Sequence, residues 1–176
     1  CDWSSDVCCS DLAAALKRDA LRVPDVVAAP AAGLTYNAYE GTWDKLPDFN
    51  ALTPKKTGTV ATPSLSVRTR DDQFGIRYAG YVTVPADGTW TFALSSDDGS
   101  TLQIGDSVVV SNDGLHGAVE KSGAIGLMKG THRIVLRYFE KTGDQVLNLR
   151  WQGPGTAKAL VPADAFVRET APSGAN

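Results

Sequence analysis

The sequence predicts an all-β domain, an antiparallel sandwich or barrel preceded by a short helix and a linker. Three observations predict it. Apolar and polar residues alternate at period two along successive stretches of the chain. Turn-forming Pro, Gly, Asp and Asn recur between those stretches at short, regular intervals. Between Gly33 and Arg168 no segment carries a convincing helical period.

The elements follow in order. Residues 1–12, CDWSSDVCCSDL, resemble the conceptual translation of a sequencing-library adapter and are set aside from the fold. All three cysteines, Cys1, Cys8 and Cys9, fall there, so neither a disulfide framework nor a histidine-supported metal site is built on them. Residues 13–32 read as a linker. Leu12, Leu16 and Ala20 recur at i, i+4 and i+8, which predicts a short helix over Asp11 to Leu21. VPDVVAAPAAG (Val23–Gly33) then carries two prolines among small residues and reads as extended chain. The β domain is expected over 33–168 and a fraying tail over 169–176.

Within the domain, FGIRYAGYVTV points Phe74, Ile76, Tyr78, Val82 and Val84 one way and Arg77, Tyr81 and Thr83 the other. PADG (Pro85–Gly88) turns the chain into TWTFALS, where Trp90, Phe92 and Leu94 alternate. Leu102 with Ile104, and Val108 with Val110, form a hairpin across Gly105-Asp106. Ile125 and Leu127 lead to the Lys129-Gly130 turn, and THRIVLRYF and QVLNLRW follow, separated by KTGD. Such one-sided strands pair antiparallel, with one face on the core and one in water.

Composition narrows the function. The 176 residues suffice for one domain with a sizeable core. A net charge of −3 with scattered Lys and Arg argues against nucleic acid. No apolar run reaches about 18 residues, so no membrane span is expected. The start shows no basic segment followed by an apolar one, so the chain is expected to be an internal fragment of a larger protein.

Several stretches together carry a resemblance: YNAYEGTWDKLPDFNALTP, then DDQFGIRYAGYVTVPADGTWTFALSSDDGSTLQI, NDGLHG, and KGTHRIVLRYFEKTGDQVLNLRW. In this order they resemble the protective-antigen (PA-14) domain, from Leu34 to about Arg168. The resemblance implies a jelly-roll type β-sandwich, and a module that binds carbohydrate as part of a secreted bacterial glycosidase, sulfatase or similar protein. It implies a monomeric, non-catalytic accessory module, extracellular or periplasmic, with glycans and an attached catalytic domain as partners. The residues leave a second function open, a structural or protein-interaction module that packs on an attached enzyme without binding sugar.

The resemblance also implies calcium. In lectin members an aspartate pair joined by a cis peptide holds the ion, and Asp97-Asp98 followed by Gly99 matches that pair. Calcium takes six to eight hard oxygens from carboxylates, carbonyls and water. Neighbouring side chains of a regular strand diverge, so two adjacent carboxylates reach one ion only where the backbone bends. Gly99 is expected to bend there with a backbone angle closed to other residues. The expected metal ligands are Asp97, Asp98 and Asn112, and the expected carbohydrate contacts add Gly99, Asp113 and His116. DDG and NDG are also turn formers whose side chains bond their own backbone, and the residues alone leave that reading open.

Other groups read as bland. His116 beside Asp113 lacks a nucleophile for acid–base work. Asp97 and Asp98 are too close for a glycosidase pair, whose carboxyls sit roughly 5–9.5 Å apart. His132 reads as structural, Asp71, Asp72 and Glu140 as solvated turn charges, and Arg68 and Arg70 as rim ion pairs. Trp43 and Trp151 read as core more readily than as sugar platforms.

Overall fold

A computed structural model describes residues 21–170 of the chain. The helix expected over Asp11 to Leu21 (all but its last residue), the adapter-like start and the last six residues lie outside the described residues. The β-architecture is as expected: two antiparallel sheets face each other across one core, and no α-helix occurs among the described residues.

Twelve strands build the sheets: β1 (Pro30–Ala32), β2 (Leu34–Glu40), β3 (Lys56–Val60), β4 (Phe74–Val84), β5 (Gly88–Asp97), β6 (Ser100–Ile104), β7 (Ser107–Asn112), β8 (Val119–Leu127), β9 (Gly130–Glu140), β10 (Val146–Gly153), β11 (Thr156–Leu160) and β12 (Phe166–Glu169). The larger sheet runs β1-β12-β4-β9-β6-β7, with β2 pairing β3 and β4. The smaller runs β11-β10-β5-β8.

Period two decides the core. Phe74, Ile76, Tyr78, Val82 and Val84 of β4 are buried and meet Trp90, Phe92 and Leu94 of β5. Ile134, Leu136 and Tyr138 of β9, Leu102 and Ile104 of β6, and Leu149 and Trp151 of β10 complete it. Trp151 lies 5.0 Å from Trp90, ring centre to ring centre, so it is a core residue. Phe139 of β9 is fully buried although its parity points outward, and Val108 departs from the alternation in the opposite sense. The β6–β7 register shifts between Leu102 and Gln103, which pair with Val110 and Val108. The bulge at Val109 turns Val108 outward, where it is 61% exposed. Gly123 of β8 passes so near this bulge that a Cβ there would sit 1.7 Å from the Val109 carbonyl oxygen.

The stretch expected as a linker is held against the domain. Pro30, Ala31 and Ala32 pair with Glu169, Arg168 and Val167. The small side chains give no alternation to read, and backbone pairing alone makes the strand. Glu169 is therefore a strand residue rather than tail, and the Thr170 N–H donates to Ala29 O at 2.9 Å. Further upstream, Arg22 and Met128 bond through their backbones, and Arg22 Nη1 lies 2.8 Å from Nδ1 of buried His132. Asp25 accepts from Arg22 and from the Arg133 N–H, closing a clasp over the β8–β9 turn.

Candidate functional site

At the opposite end of the strands, the loops after β2, β5, β7 and β9 meet. The β5–β6 reversal is tight, and the Asp97–Asp98 peptide is cis. Carboxylate oxygens of Asp97, Asp98 and Glu140 all lie within 4.8 Å of one another. Glu140 belongs to the inward row of β9, two residues beyond Tyr138, and is fully buried. It is not the solvated turn charge that its sequence context suggested.

Asp98, 6% exposed, ties the loops together. Its N–H donates to Glu140 Oε2 at 3.0 Å. Its carboxylate accepts the His116 N–H at 3.1 Å on one oxygen and the Lys141 N–H at 3.0 Å on the other. The Tyr138 hydroxyl sits between the Asp97 carbonyl and Glu140 Oε2. Burial pushes the Glu140 carboxyl up to about 7, with the Asp98 and Asp97 charges adding, against hydrogen bonds from Tyr138 and the Asp98 N–H. Burial also raises Asp97, as do Asp98 and Asp144, while His116 and the Ala118 N–H oppose. This crowding of like charge is what a cation relieves.

The second loop is placed as follows. Asn112 is buried, and its Nδ2 donates to Ser96 Oγ and to Val119 O, each at 3.0 Å. It pairs with Ser100, which in turn pairs with Tyr138, so it stands two strands from Tyr138. His116 sets Nε2 2.9 Å from Asn112 O and Nδ1 2.9 Å from Gly117 O. Asp113 is exposed and turns away to brace the loop: its Oδ1 accepts the Leu46 N–H at 2.8 Å and the Gly114 N–H at 2.9 Å. At Gly99 the φ angle is not left-handed, contrary to expectation. Close approach demands glycine instead, because a Cβ would lie 2.4 Å from a Phe139 ring carbon and 2.9 Å from the Gly114 backbone.

Two buried oxygens have no hydrogen-bond partner among the described residues, Glu140 Oε1 and Asn112 Oδ1. An orphaned buried oxygen costs about 1–3 kcal/mol, and more when charged. A hard cation satisfies such oxygens, and the all-oxygen donor set fits calcium. Glu140 is the member that sequence reading missed. The signal was its parity, since His132, Ile134, Leu136 and Tyr138 lead straight to it. Trp43 is half-buried at the same end, edge-on to Phe49 at 6.3 Å, and the neighbouring Asp44 pairs with Lys141 Nζ at 2.7 Å. Arg68 and Asp71 form the expected rim pair at 3.0 Å.

The family profile of the PA14 domain matches residues 33–165. The chain belongs to the PA14 domain family. Its fold is similar to that of an anti-sigma factor domain-containing protein from Clostridium clariflavum, with TM-score 0.64 and 24% identity over 84% of this chain and 51% of that one. The chain thus spans about half the length of that protein. A PA14 sugar-binding domain from an RTX adhesin matches with TM-score 0.63 and 16% identity, over 80% of this chain and 99% of that one. The Epithelial Adhesin 9 A domain from Candida glabrata, solved in complex with Galb1-4GlcNAc, matches with TM-score 0.63 and 11% identity over 83% and 93%. At these identities the likeness shows the fold. Comparison with curated protein sequences gives no match. No helix among the described residues is long and apolar enough to cross a membrane.

Proposed function

We propose that this PA14 domain is a non-catalytic carbohydrate-binding module of a secreted bacterial multidomain protein, calcium-dependent, with a catalytic domain attached in the parent chain. The observation that carries the reading is the three-carboxylate cluster at the loop end, with Glu140 Oε1 buried and unpartnered beside Asp97 and Asp98. Sugar-binding PA14 and adhesin domains of the same fold support it. Asp97, Asp98 and Glu140 would hold the ion, with Asn112 Oδ1 as a further oxygen. When bound, calcium supplies open coordination positions to sugar hydroxyls. Asp98 orients the His116 loop, Gly99 lets that loop close, and His116 with Gly117 lines the rim beside Asp97. A location outside the cytoplasm suits a weak site, because extracellular calcium modules work at roughly 10⁻⁴–10⁻³ M.

The hydrogen bonds that Asp98 already accepts favour a second reading, a packing module in which the pair only braces loops. Thermal melts and a glycan array, each with calcium and with chelator, separate the two. The wild type should gain about 2.7 kcal/mol at a hundredfold calcium excess over its dissociation constant, and magnesium should substitute poorly. Asp98→Ala should abolish both the gain and calcium-dependent glycan binding. Because that change also removes a brace, Asp97→Asn serves as the gentler variant and should lose the calcium response while still folding. A melting temperature unmoved by millimolar calcium, with an array silent in both conditions, leaves the packing module.

A further inference from the structure

The outer face of the larger sheet carries two arginines directly opposite each other, Arg77 of β4 and Arg137 of β9. Like charges in this position repel. Among the described residues neither forms an ion pair. Arg77 Nε is solvent-inaccessible and has no hydrogen-bond partner there, and Arg137 bonds one neutral group, Gln103 Oε1 at 3.2 Å. Burial and then the Arg77 charge pull the Arg137 pKa down, against the charge of Asp48.

The pair sits in the middle of a polar row. Thr57 pairs with Asn37, Asn37 with Arg77, Arg77 with Arg137, Arg137 with Thr101, and Thr101 with Ser111. Six strands at about 4.8 Å spacing make a row on the order of 24 Å long. Its flanks are hydroxyls and an amide, and every member is partly or fully exposed.

We propose that this row is a second, metal-independent binding surface for an acidic polysaccharide, with the Arg77–Arg137 pair seating a sulfate or carboxylate group. The guanidinium fork matches the two oxygens of such a group, and one oxyanion between two arginines converts their repulsion into charge-assisted hydrogen bonds. The hydroxyls and amide on either side suit sugar hydroxyls. The row holds no large apolar anchor of the kind that organises a protein interface. Two cations are too few for nucleic acid, whose affinity comes from many phosphate contacts. A chain of net charge −3 draws no polyanion by its general field, so binding would have to be local. The proposal does not rest on the acidic cluster at the loop end.

The test is binding of heparin and of polygalacturonate to the full chain in EDTA, with neutral dextran as control. Heparin, polygalacturonate or both should bind and dextran should not, and the preference assigns sulfate or carboxylate. Arg77→Gln and Arg137→Gln should each weaken binding about tenfold or more. Lys158→Gln, which removes the same charge from the other sheet, should leave it unchanged. Without ligand the two arginine variants should melt no lower than wild type, since each removes a repulsion; a purely structural role would lower both. Absence of binding to both polymers, or equal losses for Lys158→Gln and the arginine variants, overturns the proposal.

Discussion

Replacing Glu140 with glutamine in metal-free protein should make the domain more stable at neutral pH. The carboxyl titrates at about 7 in the fold against an ordinary 4.5. Between those values the folded state holds a proton that the unfolded state has released. Stability from this group is therefore fully present below about 4.5 and lost as pH rises through about 7. A rise of about two and a half pH units, at 1.36 kcal/mol each, caps the loss at about 3 kcal/mol. Asp97, raised by the same burial and crowding, adds a slope of the same sign. The glutamine side chain would keep the shape, accept the Asp98 N–H, and turn an amide N–H₂ toward the Asp97 and Asp98 carboxylates. Urea unfolding in EDTA, followed by the fluorescence of buried Trp90 and Trp151, reads the effect at pH 4.5, 6 and 7.5. Wild-type stability should fall across that series, while Glu140→Gln should fall less steeply, with the Asp97 slope left, and exceed wild type at 7.5. Added calcium should restore the wild type at 7.5 and help the variant less. A wild-type curve flat over this range, or a variant weaker than wild type at 7.5, would refute the reasoning.

Phe92→Ala removes a fully buried ring from the β5 face and should cost about 3–5 kcal/mol in chemical denaturation; below about 1 kcal/mol, the strand faces are misassigned. Arg22→Ala removes the hydrogen bond to His132 and the 2.8 Å ion pair with Asp25, and should cost about 1.5–3 kcal/mol by the same measurement. Burial and then the Arg22 charge lower the His132 pKa, a backbone hydrogen bond to Met128 opposing. Its contribution is thus present above the ordinary histidine pKa and lost as pH falls through the depressed one, which an NMR titration of the ring would follow. A ring titrating at or above the ordinary value would count against the clasp.

Legibility in the sequence followed the strength of the alternation. Central strands β4, β5 and β9 place five, three and three large apolar residues on one face, and their inner faces read correctly. Edge strands β1 and β11 did not read, because β1 is Pro-Ala-Ala and β11 is Thr-Ala-Lys-Ala-Leu with four exposed residues. Such strands are fixed by backbone pairing to distant residues, as Pro30 is to Glu169. Val108 was misread because a bulge shifts the phase, and nothing in SVVVSN marks which valine is extra. At the loop end, Asp97 and Asp98 stood out through adjacency and resemblance. Glu140 did not, because a carboxylate is seldom fully buried and its reason for being so lies 42 residues upstream, in the Asp98 N–H. The outward direction of Arg77 was legible, but its opposition to Arg137 depends on a register between strands that local sequence does not specify.

Strand β9 explains why the acidic cluster is held so firmly. Its inward row runs His132, Ile134, Leu136, Tyr138, Glu140. The first is gripped by the Arg22 clasp, the middle two are core, and the last two enter the cluster. A side chain in that row cannot leave without either breaking the strand or flipping every neighbour to the opposite face. Glu140 is thus buried by parity as well as by its own contacts, and the packing energy of Ile134 and Leu136 holds a carboxylate where its own solvation disfavours it. The same strand presents Arg137 on the opposite face between Leu136 and Tyr138, unable to turn inward for the same reason. Core packing therefore fixes an unpartnered oxygen on one side of β9 and an under-partnered cation on the other. Each leaves a charge short of partners, and each is open to a separate test.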